Sequence, residues 1–195
     1  MDAKEFFYKY KKATDKERIK NGKRLFDYYL HNKEFTPIVI EIINEIIKEA
    51  GYIPQNEYFR IDAVGWISNY KKMKEAARKA NIRINAHHWD LKIAVEHEND
   101  KYDWSDEVMK LIHIKCPLKV VIGYNYCNER EEEINKLNFI AEWMKRVEAF
   151  NKCTDEEYLV IIGNGSNSET GLSDYDDFGY IGYLYNWNSK AFEKI

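Results

Sequence analysis

The chain lacks the residue patterns that mark several classes of protein. It has only three cysteines, Cys116, Cys127 and Cys153, which are too far apart in sequence to form a close-spaced metal-binding pair. An odd number of cysteines also argues against a framework of disulfides. The cysteine content therefore favours a reducing compartment, and we expect a cytoplasmic protein.

Long apolar runs and an excess of one charge are also missing. The N-terminus has no apolar signal core, and no run is long enough to cross a bilayer, so no membrane partner is expected. With 30 basic and 33 acidic side chains, the formal net charge is −3. This balance neither indicates nor excludes a nucleic-acid partner, because a local basic patch is sufficient for binding.

The residues that are present are typical of a globular domain. The 195 residues are 45% hydrophobic and 32% charged, without an internal repeat or a low-complexity linker. The order of helices and strands predicts an α/β fold with a mixed central sheet flanked by helices. The periodicity predicts two helices within 2–31, helices over 38–50, 69–81 (or a long excursion), 103–114 and 128–150, and strands over 57–66, 82–88, 91–99, 118–124, 158–163 and 178–187.

Acidic residues lie on two of these strands, Asp62 in the middle of one and Glu96 and Glu98 at the end of the other. In the strand 91–99, alternation places Glu96 and Glu98 on one face and His97 on the other. Carboxylates at the end of a buried strand are costly unless they are paired, hydrogen-bonded or bound to metal. Asp62, on the strand 57–66, can face the same side if the two strands are neighbours. Three such carboxylates would suit Mg²⁺, which prefers oxygen ligands and can activate water for attack on phosphorus.

This arrangement resembles the PD-(D/E)XK nuclease superfamily, which has the restriction-endonuclease-like fold. The resemblance covers about residues 38–163 and rests on the order of elements and on the acids that they carry. It implies a Mg²⁺-dependent nuclease that cleaves DNA, with Mn²⁺ as a substitute metal. It also divides a single domain, 1–195, into a helical extension (1–35), a nuclease-like core (36–165) and a C-terminal extension (166–195).

The resemblance assigns roles residue by residue. Asp62 and Glu96 correspond to the two metal ligands, whereas Glu98 stands where the family usually has lysine. Either Glu98 acts as a general base or a further metal ligand, or Lys110 on the following helix has taken over the role of the lysine. Glu45, or less favourably Glu41, corresponds to the auxiliary acid of the first helix in some members.

Two further points stay open at the level of sequence. The missing lysine and the slight acidity also fit a non-catalytic module of the same fold that binds nucleic acid or a protein. A homodimer is compatible with the sequence but is not indicated by any residue pattern. The expected partner is DNA.

Overall fold

The computed structural model describes residues 1–15, 19–20, 23–29, 32–68, 70–83, 89–100, 102–126, 130–165 and 178–195. The helices are α1 (Ala3–Ala13), α2 (Leu25–Tyr28), α3 (Asn32–Glu49), α4 (Tyr70–Lys79), α5 (Trp104–Ile112), α6 (Arg130–Met144) and α7 (Glu148–Asn151). The strands are β1 (Ile19–Lys20), β2 (Lys23–Arg24), β3 (Ile53–Tyr58), β4 (Ile61–Ser68), β5 (Trp89–His97), β6 (Leu118–Tyr126), β7 (Glu157–Gly165), β8 (Ile181–Asn186) and β9 (Ala191–Lys194).

A seven-stranded mixed sheet runs through the centre of the molecule in the order β3-β4-β5-β6-β7-β8-β9. The pairs β5–β6 and β6–β7 are parallel, and the other neighbours are antiparallel. The prediction of an α/β fold with helices around a mixed sheet is therefore confirmed. The central strands are runs of apolar, often β-branched residues, as expected for strands covered on both faces.

Each face of the sheet is covered by its own helices. Helices α1, α2 and α3 pack on one face, where α3 buries Val39, Ile43 and Ile47 against sheet residues such as Ile93. Helices α5, α6 and α7 pack on the other face, where Val108 and Leu111 of α5 belong to the second apolar cluster. Burial of a broad apolar stripe on each helix is the main force that holds these layers together.

The predicted strand 57–66 is wrong at its start. The chain forms a tight hairpin instead, in which β3 pairs with β4 and Tyr58 lies opposite Ile61. Glu57, Phe59 and Arg60 adopt positive φ angles at this turn. Such angles are uncommon for residues other than glycine. The hairpin could not be predicted, because its turn contains neither a glycine nor an Asn-Gly pair.

The predicted boundaries of the helices also need correction. Helix α3 begins at Asn32, so Pro37 lies within it and Thr36 is not its cap. Its end is as expected, since Gly51 has a φ of +78° and the N–H of Tyr52 donates to the carbonyl of Ile47. The predicted helix 128–150 is broken into α6 and α7 by the residues around Val147.

The two predicted extensions are parts of the same fold. Phe6 and Tyr10 of α1 are fully buried in the core, and the boundary predicted at 35/36 falls inside α3. The predicted last strand is confirmed as β8, and β9, which was not predicted, extends the sheet beyond it. Most of the predicted strand 82–88 lies outside the described residues. No helix in the described ranges has both the length and the apolar character to cross a membrane.

Candidate active site

The end of the β4–β5 ladder brings Asp62 and Glu96 together. The last regular pair joins Ala63 and Val95, and beyond it the side chains take over the hydrogen bonding. The backbone N–H of His97 donates to Oδ2 of Asp62 at 2.8 Å. The backbone N–H of Asp62 donates to Oε2 of Glu96 at 3.2 Å. Each carboxylate thus bridges to the other strand, which fixes the two acids side by side.

Burial makes this pair of acids electrostatically unusual. Glu96 is only 2% exposed, and burial, together with the neighbouring charge of Asp62, raises its pKa to about 8 although Lys110 opposes the shift. Burial also raises the pKa of Asp62, against the hydrogen bond that it accepts from His97. Burial therefore disfavours the ionised form of both carboxylates, because negative charge is poorly solvated at this place.

Lys110 reaches this pair from α5. Its Nζ lies 2.7 Å from Oε1 of Glu96 and also forms an ion pair with Glu107. It donates a hydrogen bond to the carbonyl of Arg60 at 3.1 Å. Burial opposes the charge on Lys110, but the contacts to Glu107 and Glu96 outweigh it and raise its pKa. The lysine is therefore a fixed cation next to Glu96, and its role in the reaction stays a prediction.

Glu98 follows the strand but is held by its own loop. Its backbone N–H donates to the carbonyl of Ile122, and its Oε1 accepts from the N–H of Asp100 at 2.8 Å. Burial raises its pKa, and the negative charges of Glu107, Asp103 and Asp100 add to this effect. Within the described ranges, no three His, Cys, Asp or Glu side chains are grouped closely enough to hold a metal ion. The predicted three-acid cluster of Asp62, Glu96 and Glu98 is thus reduced to an adjacent pair.

Glu45 does not join these acids. It lies on an exposed part of α3 and lines a groove with α1 residues such as Lys9 and Lys12. Helix α3 packs on the face of the sheet opposite to α5, whereas Asp62 and Glu96 share the α5 face with Val64 and Ala94. The sequence assignment of Glu45 as an auxiliary acid is therefore not supported by its position.

His97 lies on the opposite face of β5, as the alternation predicts. It is 7% exposed, and its Nε2 is 3.0 Å from the hydroxyl of Tyr124. Burial lowers its pKa to about 3, so it is uncharged at neutral pH. His97 is a hydrogen-bonded core residue, while its backbone N–H holds Asp62.

Two groups at this site were missed from the sequence. Glu107 was not singled out, although the spacing Glu107-x-x-Lys110 places both side chains on one face of a helix. The carbonyl of Arg60 could not be found, because it depends on the hairpin turn. Together these two acceptors hold the ammonium of Lys110 in a defined position.

The pair Asp62–Glu96 fits a divalent cation by its donor chemistry. Mg²⁺ is commonly bound by one or two carboxylates and completes its shell with water and substrate phosphate oxygens. A cation would stabilise the ionised forms of the buried Glu96 and the partly buried Asp62, whose pKa values burial raises. The donor chemistry of Asp62 and Glu96 is thus compatible with the expected metal, and a Mg²⁺ site here stays a prediction.

Comparison with known proteins adds no assignment. No family model matches the chain, and a search of the curated proteins finds no match.

Proposed function

We propose that the protein is a Mg²⁺-dependent nuclease that hydrolyses phosphodiester bonds in DNA. One observation carries the proposal: Asp62 and Glu96 are joined at the ends of neighbouring antiparallel strands, with the Nζ of Lys110 2.7 Å from Glu96. The support for the proposal is this convergence of an acid pair and a lysine, although the lysine comes from α5 and Glu98 occupies the position of the family's usual lysine.

Each of these side chains has a role in the proposed reaction. Asp62 and Glu96 would hold Mg²⁺, with Mn²⁺ as a substitute. A metal held by these residues would supply a bound water of lowered pKa and would neutralise charge on the phosphate oxygens. Lys110, fixed by Glu107 and the carbonyl of Arg60, would orient the attacking water or the phosphate. Glu98 is the alternative general base, as a carboxylate that follows Glu96 by two residues and whose pKa is raised by burial.

The experiment is cleavage of supercoiled plasmid DNA in Mg²⁺ by the wild-type chain, Asp62→Asn and Glu96→Gln. Both variants keep the shape of the side chain but remove its charge, and we expect both to abolish cleavage while the circular dichroism spectrum stays unchanged. Glu148→Gln, on an exposed residue of α7, is the matched control and should cut normally. Cleavage by both site variants at the wild-type rate would overturn the assignment.

A second candidate is a non-catalytic module that binds nucleic acid or protein. It is favoured by the ion pair between Lys110 and Glu96, because the cation already neutralises part of the acid pair without a metal. This candidate predicts DNA binding in EDTA and no product in Mg²⁺ or Mn²⁺ at any protein concentration. Cleavage that depends on Asp62 would exclude it.

The setting that we propose is the cytoplasm. Cys116 and Cys153 are free thiols, and Cys116 is buried. Free cysteines persist where the environment is reducing. A homodimer stays a prediction.

A further inference from the structure

Helix α6 has apolar side chains on two sides, and only one side packs on the sheet. The inner side is buried in the second apolar cluster through Leu137, Ile140, Ala141 and Met144. On the outer side, Phe139 is 64% exposed and Trp143 is 45% exposed, and the centres of their rings are 5.9 Å apart. Large apolar groups that lie side by side on a surface are typical of a contact with another molecule.

This outer side of α6 ends in charges of opposite sign. Glu132 lies seven residues before Phe139, and Arg146 lies seven residues after it. Seven residues are close to two turns of an α-helix, so the three side chains lie along one strip of the outer side. Glu132 and Arg146 are both exposed. The outer strip of α6 therefore runs from an acid, past two aromatic rings, to a base.

Arg146 lies just beyond the end of α6 but stays on the outer strip. Its backbone N–H donates to the carbonyl of Trp143 at 3.0 Å, which continues the helical path by a tighter turn. The Cζ of its guanidinium is 4.5 Å from the centre of the Trp143 ring, a cation–π contact. The base is therefore held against the aromatic pair, where it would meet a molecule that covers the two rings.

The strip is complementary to a second copy of itself. In a two-fold symmetric contact between antiparallel helices, each residue before the centre faces the residue equally far after the centre on the other copy. With Phe139 at the centre, Glu132 of each copy faces Arg146 of the other, so the ion pair forms twice. Asn135 faces Trp143 in the same way, because each lies four residues from Phe139. Asn135 is exposed and smaller than tryptophan, which leaves room for the indole ring.

Other occupants of the strip fit its charges less well. A parallel contact between two copies would place Glu132 against Glu132 and Arg146 against Arg146, and like charges in contact repel. Nucleic acid is disfavoured because Glu131 and Glu132, in the first turn of α6, are exposed acids that would repel phosphates. The charges therefore favour the antiparallel contact between two copies of the chain.

We propose that α6 is the contact surface of a two-fold symmetric homodimer, with Phe139 at its centre and an ion pair between Glu132 and Arg146 at each end. The helix of 15 residues is about 22 Å long, which makes the contact small. We therefore expect a reversible dimer with a dissociation constant on the order of micromolar. The dimer requires neither Mg²⁺ nor DNA, so it is independent of the proposed reaction.

The test is sedimentation velocity of the full chain in EDTA without DNA. The wild type should change from monomer to dimer as its concentration rises through the micromolar range. Phe139→Ala should raise the dissociation constant by at least about 30-fold, because it removes the central ring from both copies. Phe59→Ala is the matched control: Phe59 is 79% exposed on the β3–β4 hairpin, and this variant should dimerise like the wild type. Circular dichroism checks that each variant is folded.

An exchange of charges tests which residues face each other. Glu132→Arg and Arg146→Glu should each raise the dissociation constant by about 10-fold, because each change places like charges together at both ends of the contact. The double variant Glu132→Arg/Arg146→Glu should recover most of the lost affinity, since its ion pairs form again with their signs exchanged.

Three results would overturn the proposal. The first is a wild-type chain that stays monomeric up to about 100 µM. The second is a dimer that Phe139→Ala leaves intact, or that Phe59→Ala weakens equally. The third is a double variant that dimerises no better than the two single variants, because Glu132 would then not face Arg146.

Discussion

Glu96 is a carboxylic acid with almost no access to water and a lysine at 2.7 Å. Its place beside Asp62 could be predicted, because alternation along the strand 91–99 and an antiparallel neighbour define which side chains meet. Of the partners of Lys110, Glu107 could be predicted from its spacing of three residues on the same helix. The carbonyl of Arg60 could not, because its position depends on the turn of the hairpin. Local patterns thus identify the acids, and tertiary packing determines what neutralises them.

Glu96→Gln should stabilise the chain at alkaline pH in EDTA. The pKa of Glu96 is raised from an ordinary 4.5 to about 8, so the folded wild type loses stability as the pH rises from about 5 past 8. Glutamine cannot ionise, so the variant should gain about 1–3 kcal/mol relative to wild type at pH 9 and nothing at pH 4. This gain should raise Tm by about 2–4 °C for each kcal/mol in thermal melts followed by circular dichroism.

Glu148→Gln is the control for this pH dependence, since Glu148 is 82% exposed. The difference in the free energy of unfolding between Glu148→Gln and wild type should not change between pH 4 and pH 9. If the stability difference between Glu96→Gln and wild type were also constant from pH 4 to pH 9, burial would not destabilise the ionised carboxylate of Glu96.

Lys110→Ala tests which residue assists the attacking water. If Lys110 has this role, cleavage should fall by about 10²- to 10⁴-fold, the range for loss of a positioned proton-transfer group. Lys145→Ala removes a lysine of another i,i+3 ion pair, with Glu142, and should leave cleavage unchanged. Unchanged cleavage by Lys110→Ala would mean that Lys110 does not assist the attacking water. Glu98 would then be the candidate for this role, and we would expect Glu98→Gln to be inactive.

At the scale of elements, the strands of the parallel core were the most predictable. The runs 118–124 and 158–163 lie inside β6 and β7, because a continuous apolar run suits a strand buried on both faces. The edge hairpin and the start of α3 were not predictable, since positive φ angles at Phe59 and Arg60 and a proline inside a helix both go against local preference. At both places tertiary contacts are present: Lys110 donates to the carbonyl of Arg60, and Phe35 of α3 is buried in the core.

Gly65→Ala tests the contact between α3 and β4. A methyl group at this position would lie 2.5 Å from Cγ2 of Ile93 and 2.9 Å from Cγ2 of Ile47. Neither atom can withdraw easily, because both side chains are fully buried. We expect a loss of about 1–3 kcal/mol in urea unfolding at unchanged m-value. A change below about 0.5 kcal/mol would mean that the helix and strand are further apart than described.

At the scale of the molecule, the layers were predictable but the boundaries of the core were not. The N-terminal helix α1 packs into the core through Phe6, and β8 and β9 complete the sheet, so both supposed extensions belong to one architecture. The sequence patterns at the two termini predict helices and strands but not whether these elements pack onto the sheet. That packing depends on which apolar surface of the sheet is left uncovered.

The most direct test of the central claim is calorimetric titration of the whole chain with Mn²⁺ at pH 8.5. The account predicts one binding site in the wild-type chain, lost in both Asp62→Asn and Glu96→Gln and retained in Glu148→Gln. Absence of binding in the wild type, or equal binding in the two site variants, would contradict a metal centre at Asp62 and Glu96.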